Sequence, residues 1–361
     1  MKRILHYGLS NSLGGIETYL LKISQYIDKK IYKFAFIING DKKPCFYKEL
    51  SELGCEFYFI TPRGKNYNKN IQELNALFRT IDFDILHCHL NSLSYITPIN
   101  IALKHGKKVI VHSRNAGCLK SFKSKILHKI NYNRLPKEKI KLTAVSDLAG
   151  EWMFGKNSEV TVLNNGLDTK QYCFSNELRE KIRTELNVGN KTIIIHVGAF
   201  RAQKNHVKVV EIFSEYLKLN PESILILIGA GELQNEVKEL VESLKLSSKV
   251  LFLGKRSDIS AILSAGDYYL FPSFYEGFPN ALLEAETSGL FCFASDTITK
   301  EAIIDDLCIS LPLDLSANEW ANEIIKKSKI SDREKCPQII EKHGLGIEQE
   351  IHNLCELYEK Y

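Results

Sequence analysis

Short apolar runs alternate with amphipathic stretches along the whole chain, and this pattern limits the fold more than any single residue does. Residues 4–7, 34–38, 57–60, 85–89, 109–112, 142–146 and 159–163 read as strands. So do 192–197, 224–228, 249–252, 268–271 and 291–294, with helical segments between nearly all of them. A strand that must cross over through a helix to reach its neighbour pairs parallel to it. The sequence therefore predicts α/β architecture with parallel sheets covered on both faces, in two doubly wound domains. Such sheets bind ligands in the loops beyond the carboxyl ends of their strands. The chain has 361 residues, which suits two domains rather than one. We place the first over residues 1–168 and the second over 169–345, with a helix over 346–361. The turn-rich Asn164-Asn165-Gly166-Leu167-Asp168 is the linker.

Charge divides the chain at the same place. Residues 1–168 carry 26 Lys+Arg against 14 Asp+Glu; the remainder carries 22 against 29. A basic first half suits an anionic partner such as phosphate or a membrane surface. Its densest stretch runs from Lys120 to Lys141, with Phe122, Ile126, Leu127 and Ile130 at helical spacing between lysines. That is a basic amphipathic helix: it packs its apolar face on its own domain, or it meets anionic lipid headgroups. No recognised nucleic-acid module accompanies it. No apolar run reaches the ~18–20 residues of a membrane span. Met1 to Gly8 reads as a first strand and not a signal peptide. Nine cysteines without C-x-x-C spacing indicate reduced thiols and a cytoplasmic protein.

The chemistry-bearing residues sit just past predicted strand ends. Glu276 and Glu284 stand on the two sides of a turn, in Ser273-Phe274-Tyr275-Glu276-Gly277-Phe278-Pro279-Asn280 and the helix after it. Asn280 is the expected N-cap. A free helix N-terminus holds phosphate, and carboxylates accept hydrogen bonds from sugar hydroxyls; a nucleotide sugar has both parts. Gly14 and Gly15 open a helix after the first strand, where missing Cβ atoms let backbone amides approach a phosphate. No G-x-G-x-x-G is present, which argues against a nicotinamide enzyme. His112 closes its strand, with Arg114 and Asn115 next in the chain; Ser146 is a weaker candidate of the same type. His87 and His89 share a strand face but no Cys/His set accompanies them, so no metal site is expected. Asp82 and Asp84 precede a strand and are not a metal-binding D-x-D. Asp258 suits a helix N-cap.

Taken in order, these blocks resemble retaining family 4 glycosyltransferases. The resemblance implies a GT-B fold, two Rossmann-like domains facing across a cleft, with the acceptor on the first and a nucleotide-diphosphate sugar, a UDP-sugar, on the second. It implies that the last helix crosses back to the first domain. Gly198, Arg201 and Lys204 lie in a stretch similar to the family's diphosphate-neutralising loop, although Ala199 stands where the family has arginine. Gly229-Ala230-Gly231-Glu232 resembles its nucleotide loop, and Gly254 and Arg256 its base-framing stretch. Gly277, Phe278, Pro279 and Asn280 belong to the signature loop. Glu284 is then the ribose anchor, while Glu276 and His112 act at the transferred sugar. Asn91 and Ser92 would line the acceptor side. No metal or other cofactor is implied. The acceptor would be a saccharide or lipid-linked saccharide, used in cell-surface polysaccharide synthesis by a cytoplasmic enzyme at the inner membrane face. An epimerase on the same scaffold, or a non-catalytic sugar-binding subunit, are the alternatives.

Overall fold

The computed structural model describes residues 1–117 and 121–361. Unit 1 comprises Met1–Asn165 with Glu348–Tyr361, and unit 2 comprises Gly166–Ile347. Unit 1 carries β1 (Lys2–Tyr7), β2 (Tyr32–Asn39), β3 (Glu56–Ile60), β4 (Ile85–Leu90), β5 (Lys108–Ser113), β6 (Lys141–Ala144) and β7 (Thr161–Val162), in the order β3-β2-β1-β4-β5-β6-β7. Unit 2 carries β8 (Thr192–Val197), β9 (Ser223–Ile228), β10 (Val250–Gly254), β11 (Tyr268–Phe271), β12 (Phe291–Ser295) and β13 (Cys308–Leu311), in the order β10-β9-β8-β11-β12-β13. All pairings between these strands are parallel. In each sheet the order turns back beside the first strand, which fixes the ligand end of the sheet at the loops after β1 and β4 and after β8 and β11.

Burial explains why these segments are strands. All six residues of β4 and of β9 are buried, as central strands with helices on both faces require. Two cores flank each sheet. In unit 1, Leu86, Cys88 and Leu90 enter one core while Ile4, Ile85 and Ile110 enter the other. The second core is closed by the helix Gly15–Tyr26 and by Leu354, Leu357 and Tyr358 of the C-terminal helix Ile347–Lys360. The two passages of the chain out of unit 2 lie side by side: Leu167 N–H donates to Leu345 O at 2.8 Å, and Ile347 N–H to Leu167 O at 2.9 Å.

Some local expectations change. β13 was not expected from the sequence. Pro279, not Asn280, is the N-cap of the helix Asn280–Thr287, and no side chain caps that helix. Asp258 is the N-cap of Ile259–Ala265 by position, but its carboxylate makes no cap bond there. The basic helix spans Phe122–Arg134 and buries none of its residues. Lys120 lies outside the described residues. No helix among the described residues is long and apolar enough to cross a membrane.

Candidate active site

Unit 2 brings its sequence-distant candidates together at the carboxyl ends of β8 and β11. The chain leaves β8 at Gly198, makes a short 3-10 turn over Ala202–Lys204, and enters the helix His206–Leu219 through Asn205 in the left-handed region (φ 51°). Asn205 is pinned by its side-chain amide, which donates to Pro272 O at 3.1 Å. This turn aims Lys204 at the loop after β11. Its Nζ lies 2.7 Å from Glu276 Oε1 and 4.8 Å from the centre of the Phe271 ring. Glu276 is buried, with 7% of its surface exposed. Gln203 holds the same loop, donating to Tyr275 O at 2.8 Å and to Glu276 Oε2 at 3.2 Å; Phe274 N–H donates back to Gln203 O at 2.9 Å. Removing one partner of a desolvated, hydrogen-bonded ion pair of this kind leaves a buried charge unanswered, so each side chain holds the other in place.

Glycines let these loops close. A Cβ on Gly198 would sit 3.0 Å from the Lys204 stem. One on Gly229, whose φ is +140°, would sit 2.0 Å from Gly198 O. The loop after β9 is thus laid directly on the loop after β8. Glu284 hydrogen-bonds Tyr172, and burial, with the charge of Glu284 second, raises that phenol's pKa. Phe278 is buried in the loop beside the uncapped start of Asn280–Thr287, and Gly277 is buried next to it. Gly254 ends β10 with φ +65°. The two other basic candidates make no contact with Glu276. Arg201 is exposed. Arg256 forms a two-pronged pair with Asp258, at 2.8 and 2.7 Å, and reaches Glu185 at 3.3 Å, so its guanidinium is committed locally.

Unit 1 builds its counterpart after β1. Glu17 accepts from Ser10 N–H (3.1 Å) and Ser10 Oγ–H (2.7 Å), folding the Gly8–Gly15 segment over the first helical turn. A Cβ on Gly14 would meet Glu17 Oε2 at 2.9 Å, whereas nothing lies within 4 Å of one on Gly15. Gly15 is therefore open-faced at a helix start that no side chain caps. His112, expected at the sugar, is placed differently. It lies within β5, and its ring points into the sheet core with no exposed surface. A side chain one residue before the strand end faces a core by period-2 alternation, and that face here is covered. The first side chain clear of the strand is Arg114.

His112 has company that the sequence did not reveal. His6 on β1 and His87 and His89 on β4 share its sheet face, all fully or nearly fully buried. His6 Nδ1 lies 3.0 Å from His89 Nε2, and His87 Nε2 lies 3.2 Å from His112 Nδ1. Burial lowers the pKa of His6 to about 3 and holds the other three well below the ordinary histidine value, so the imidazoles are neutral. One nitrogen each from His6, His87 and His89 falls within a 4.8 Å span. This is the one grouping among the described residues with metal-ligand side chains so close together. It contains no carboxylate to offset a buried divalent charge.

Residues 13–171 match the family described as Glycosyltransferase Family 4, and residues 178–342 match Glycosyl transferases group 1. The fold is similar to that of Anabaena HepE, solved in complex with UDP, with a TM-score of 0.81 over 100% of both chains at 20% identity. The protein is thus a glycosyltransferase of the GT-B fold. Within that class it belongs to the group 1, family 4 enzymes. Among its relatives is EpsF of Bacillus subtilis (strain 168), itself named only as a candidate glycosyltransferase, 26% identical over 99% of this chain and 96% of that one. Another is the Escherichia coli UDP-Gal:alpha-D-GlcNAc-diphosphoundecaprenol alpha-1,3-galactosyltransferase, 28% identical over 81% of this chain and 79% of its own.

Proposed function

We propose that this glycosyltransferase moves a sugar from a UDP-sugar to a lipid-linked saccharide, with retention of anomeric configuration and without a metal ion, in cell-surface polysaccharide synthesis. The observation that carries this reading is the Lys204–Glu276 pair, an ammonium and a carboxylate held 2.7 Å apart by loops of two different strands. A diphosphate oxygen arriving at Lys204 competes with Glu276 for it, and the released carboxylate becomes an acceptor for hydroxyls of the transferred sugar. As the bond to the diphosphate breaks, negative charge grows on the leaving oxygens. Lys204, the exposed Arg201 and the helix start at Asn280 stabilise it; within unit 1, the open Gly14–Gly15 amides are a separate candidate anion site. Glu284, already bonded to Tyr172, takes the ribose hydroxyls. The donor reading is supported by the UDP and UDP-glucose complexes of HepE. The acceptor reading is supported by the diphosphoundecaprenol substrate in the name of the E. coli relative, and the pathway by a relative named for Vi polysaccharide biosynthesis.

We place this activity at the cytoplasmic face of a membrane, a reading that the basic helix supports. Its inward side is anchored partly by polar contacts: His128 Nδ1 accepts from Leu93 N–H at 3.1 Å and Asn131 donates to Leu93 O at 2.6 Å, beside Tyr132, which packs on the unit 1 core. Its outward side shows Phe122 (77% exposed), Ile126 (45%) and Ile130 (40%) between Lys123, Lys125 and Lys129. An apolar stripe turned to solvent and framed by lysines fits an anionic lipid surface.

Glu276→Ala should lower transfer by about two to three orders of magnitude, and Lys204→Ala should weaken UDP binding about tenfold or more. Full activity in either variant removes the site assignment. Activity lost to EDTA and restored by a divalent ion would replace the metal-free mechanism. Sedimentation with vesicles containing phosphatidylglycerol should fall when Phe122, Ile126 and Ile130 are changed to serine, and unchanged binding would end the membrane role.

A further inference from the structure

Arg114 is a partly buried cation with no acid of its own. It comes directly after β5, where its backbone N–H extends the ladder to Leu90 O at 2.9 Å. Its guanidinium lies 3.7 Å from the centre of the Tyr19 ring and donates to Asn165 Oδ1 at 3.0 Å. Among the described residues no carboxylate lies within ion-pair distance of it. The acid whose charge reaches it is Glu350 on the C-terminal helix, and that carboxylate is already paired with Lys22 at 2.6 Å. Burial presses the Arg114 pKa down, the expected sign for a desolvated charge short of a counter-ion. A guanidinium so placed is built to receive an anion with planar or tetrahedral oxygens.

Its placement is enforced from behind. Arg114 NH1 donates to His112 Nε2 at 3.5 Å. A guanidinium can only donate, so His112 accepts at Nε2 and carries its proton on Nδ1. That proton goes to His87 Nε2, 3.2 Å away. His87 must then be protonated on Nδ1, and it donates to the Tyr358 hydroxyl at 2.8 Å. One polarity therefore runs through four side chains, from the strand end to the C-terminal helix, and both tautomers are dictated by the arginine.

We propose that Arg114 is a phosphoryl-oxygen ligand of unit 1, set in position by the His112–His87–Tyr358 relay. The phosphoryl group comes either from the diphosphate of the nucleotide sugar or from the phosphate of a lipid-linked acceptor. This rests on the glycosyltransferase reading and assigns it a second cation, on the unit that lacks Lys204. His112 and His87 are positioning residues.

The test uses the full chain and two probes, UDP and a short-chain prenyl diphosphate in detergent, titrated by calorimetry. Arg114→Gln should weaken one probe at least tenfold and leave the other unmoved, which identifies the source of the phosphate. Arg114→Lys should recover part of the loss, because charge returns without the fork. Thermal unfolding of each variant reports whether the fold is kept. If the wild-type chain binds both probes and Arg114→Gln changes neither, the proposal is wrong while the transferase reading stands. If the wild-type chain binds neither, both fall. Tyr358→Phe should give a smaller loss, about two- to fivefold, on the same probe. ¹⁵N spectra should show His87 and His112 as Nδ1–H tautomers; an Nε2–H form of either overturns the relay.

Discussion

The two units share one strand order, and their first strands end alike, with a histidine one residue before the last strand position and a glycine just after it. His6-Tyr7-Gly8 closes β1 and His196-Val197-Gly198 closes β8, with the histidine fully buried in both. In both, that histidine reaches the neighbouring strand: His6 bonds His89 on β4, and His196 Nδ1 donates to Leu270 O on β11 at 2.8 Å. The loops beyond the two glycines differ. In unit 2 the loop places Lys204, whose charge is answered by Glu276. In unit 1 it presents open glycine backbone, and the cation, Arg114, comes from β5 and has no acid. One scaffold thus offers a paired charge in one unit and an unpaired one in the other. The pair holds its own geometry; the single charge needs a buried relay to hold it.

Acid should break the symmetry most strongly. Unit 1 buries four neutral imidazoles, His6, His87, His89 and His112, with Tyr19, Tyr358 and Arg114 facing them. Unit 2 buries two, His196 and His206, near Lys204. These groups have folded pKa values below 6.5, about 3 for His6 and about 4 for His206, so the unfolded chain binds protons first as pH falls. Their stabilisation is complete above pH 6.5 and lost between there and about pH 3, at up to about 1.4 kcal/mol per pH unit for each imidazole. Unit 1 should unfold at the higher pH. The chain has two tryptophans, Trp152 in unit 1 and Trp320 in unit 2. Fluorescence of Trp152→Phe and Trp320→Phe variants separates the transitions, and coincident midpoints would deny the difference.

Next in size, Gly229→Ala forces a methyl to 2.0 Å from Gly198 O at a φ of +140°, and Gly8→Ala forces one to 2.5 Å from His89 O at +132°. Each should cost about 3 kcal/mol or more in urea unfolding, the first in unit 2 and the second in unit 1. Gly15→Ala meets nothing within 4 Å, so stability should hold. If its amide faces a phosphate, transfer should still fall about tenfold; unchanged transfer would leave unit 1 without a backbone anion site. Smallest of all, Arg256→Ala removes a half-exposed local pair and should alter stability by less than about 1 kcal/mol and leave UDP binding unchanged.

Strand positions were legible because apolar period and turn residues are local. β13 was not: it is four residues at a sheet edge, with only Cys308 and Leu311 buried. The glutamate loop was legible as a strand–turn–helix, yet its partner was not, since 72 residues separate Lys204 from Glu276. Gln203 and Tyr172 carry no local signal, because only folding brings them to Glu276 and Glu284. His112 was read from its nearness to a strand end. Its place inside β5, one residue short of the strand end, leaves it under the covered sheet face, while Arg114 on the same side comes just past the strand and is half-buried. The spacing of Phe122, Ile126 and Ile130 gave the helix but not which way its apolar stripe faces.

The C-terminal helix also sets an order of assembly. Leu354, Leu357 and Tyr358 close the sheet face that carries the four histidines, yet they are translated only after every residue of unit 2. A ribosome therefore releases the material for a finished second unit while the first still lacks one wall. Until that helix docks, the face is covered on one side only by Gly15–Tyr26, and the burial that depresses the histidine pKa values is complete once Leu354, Leu357 and Tyr358 are in place.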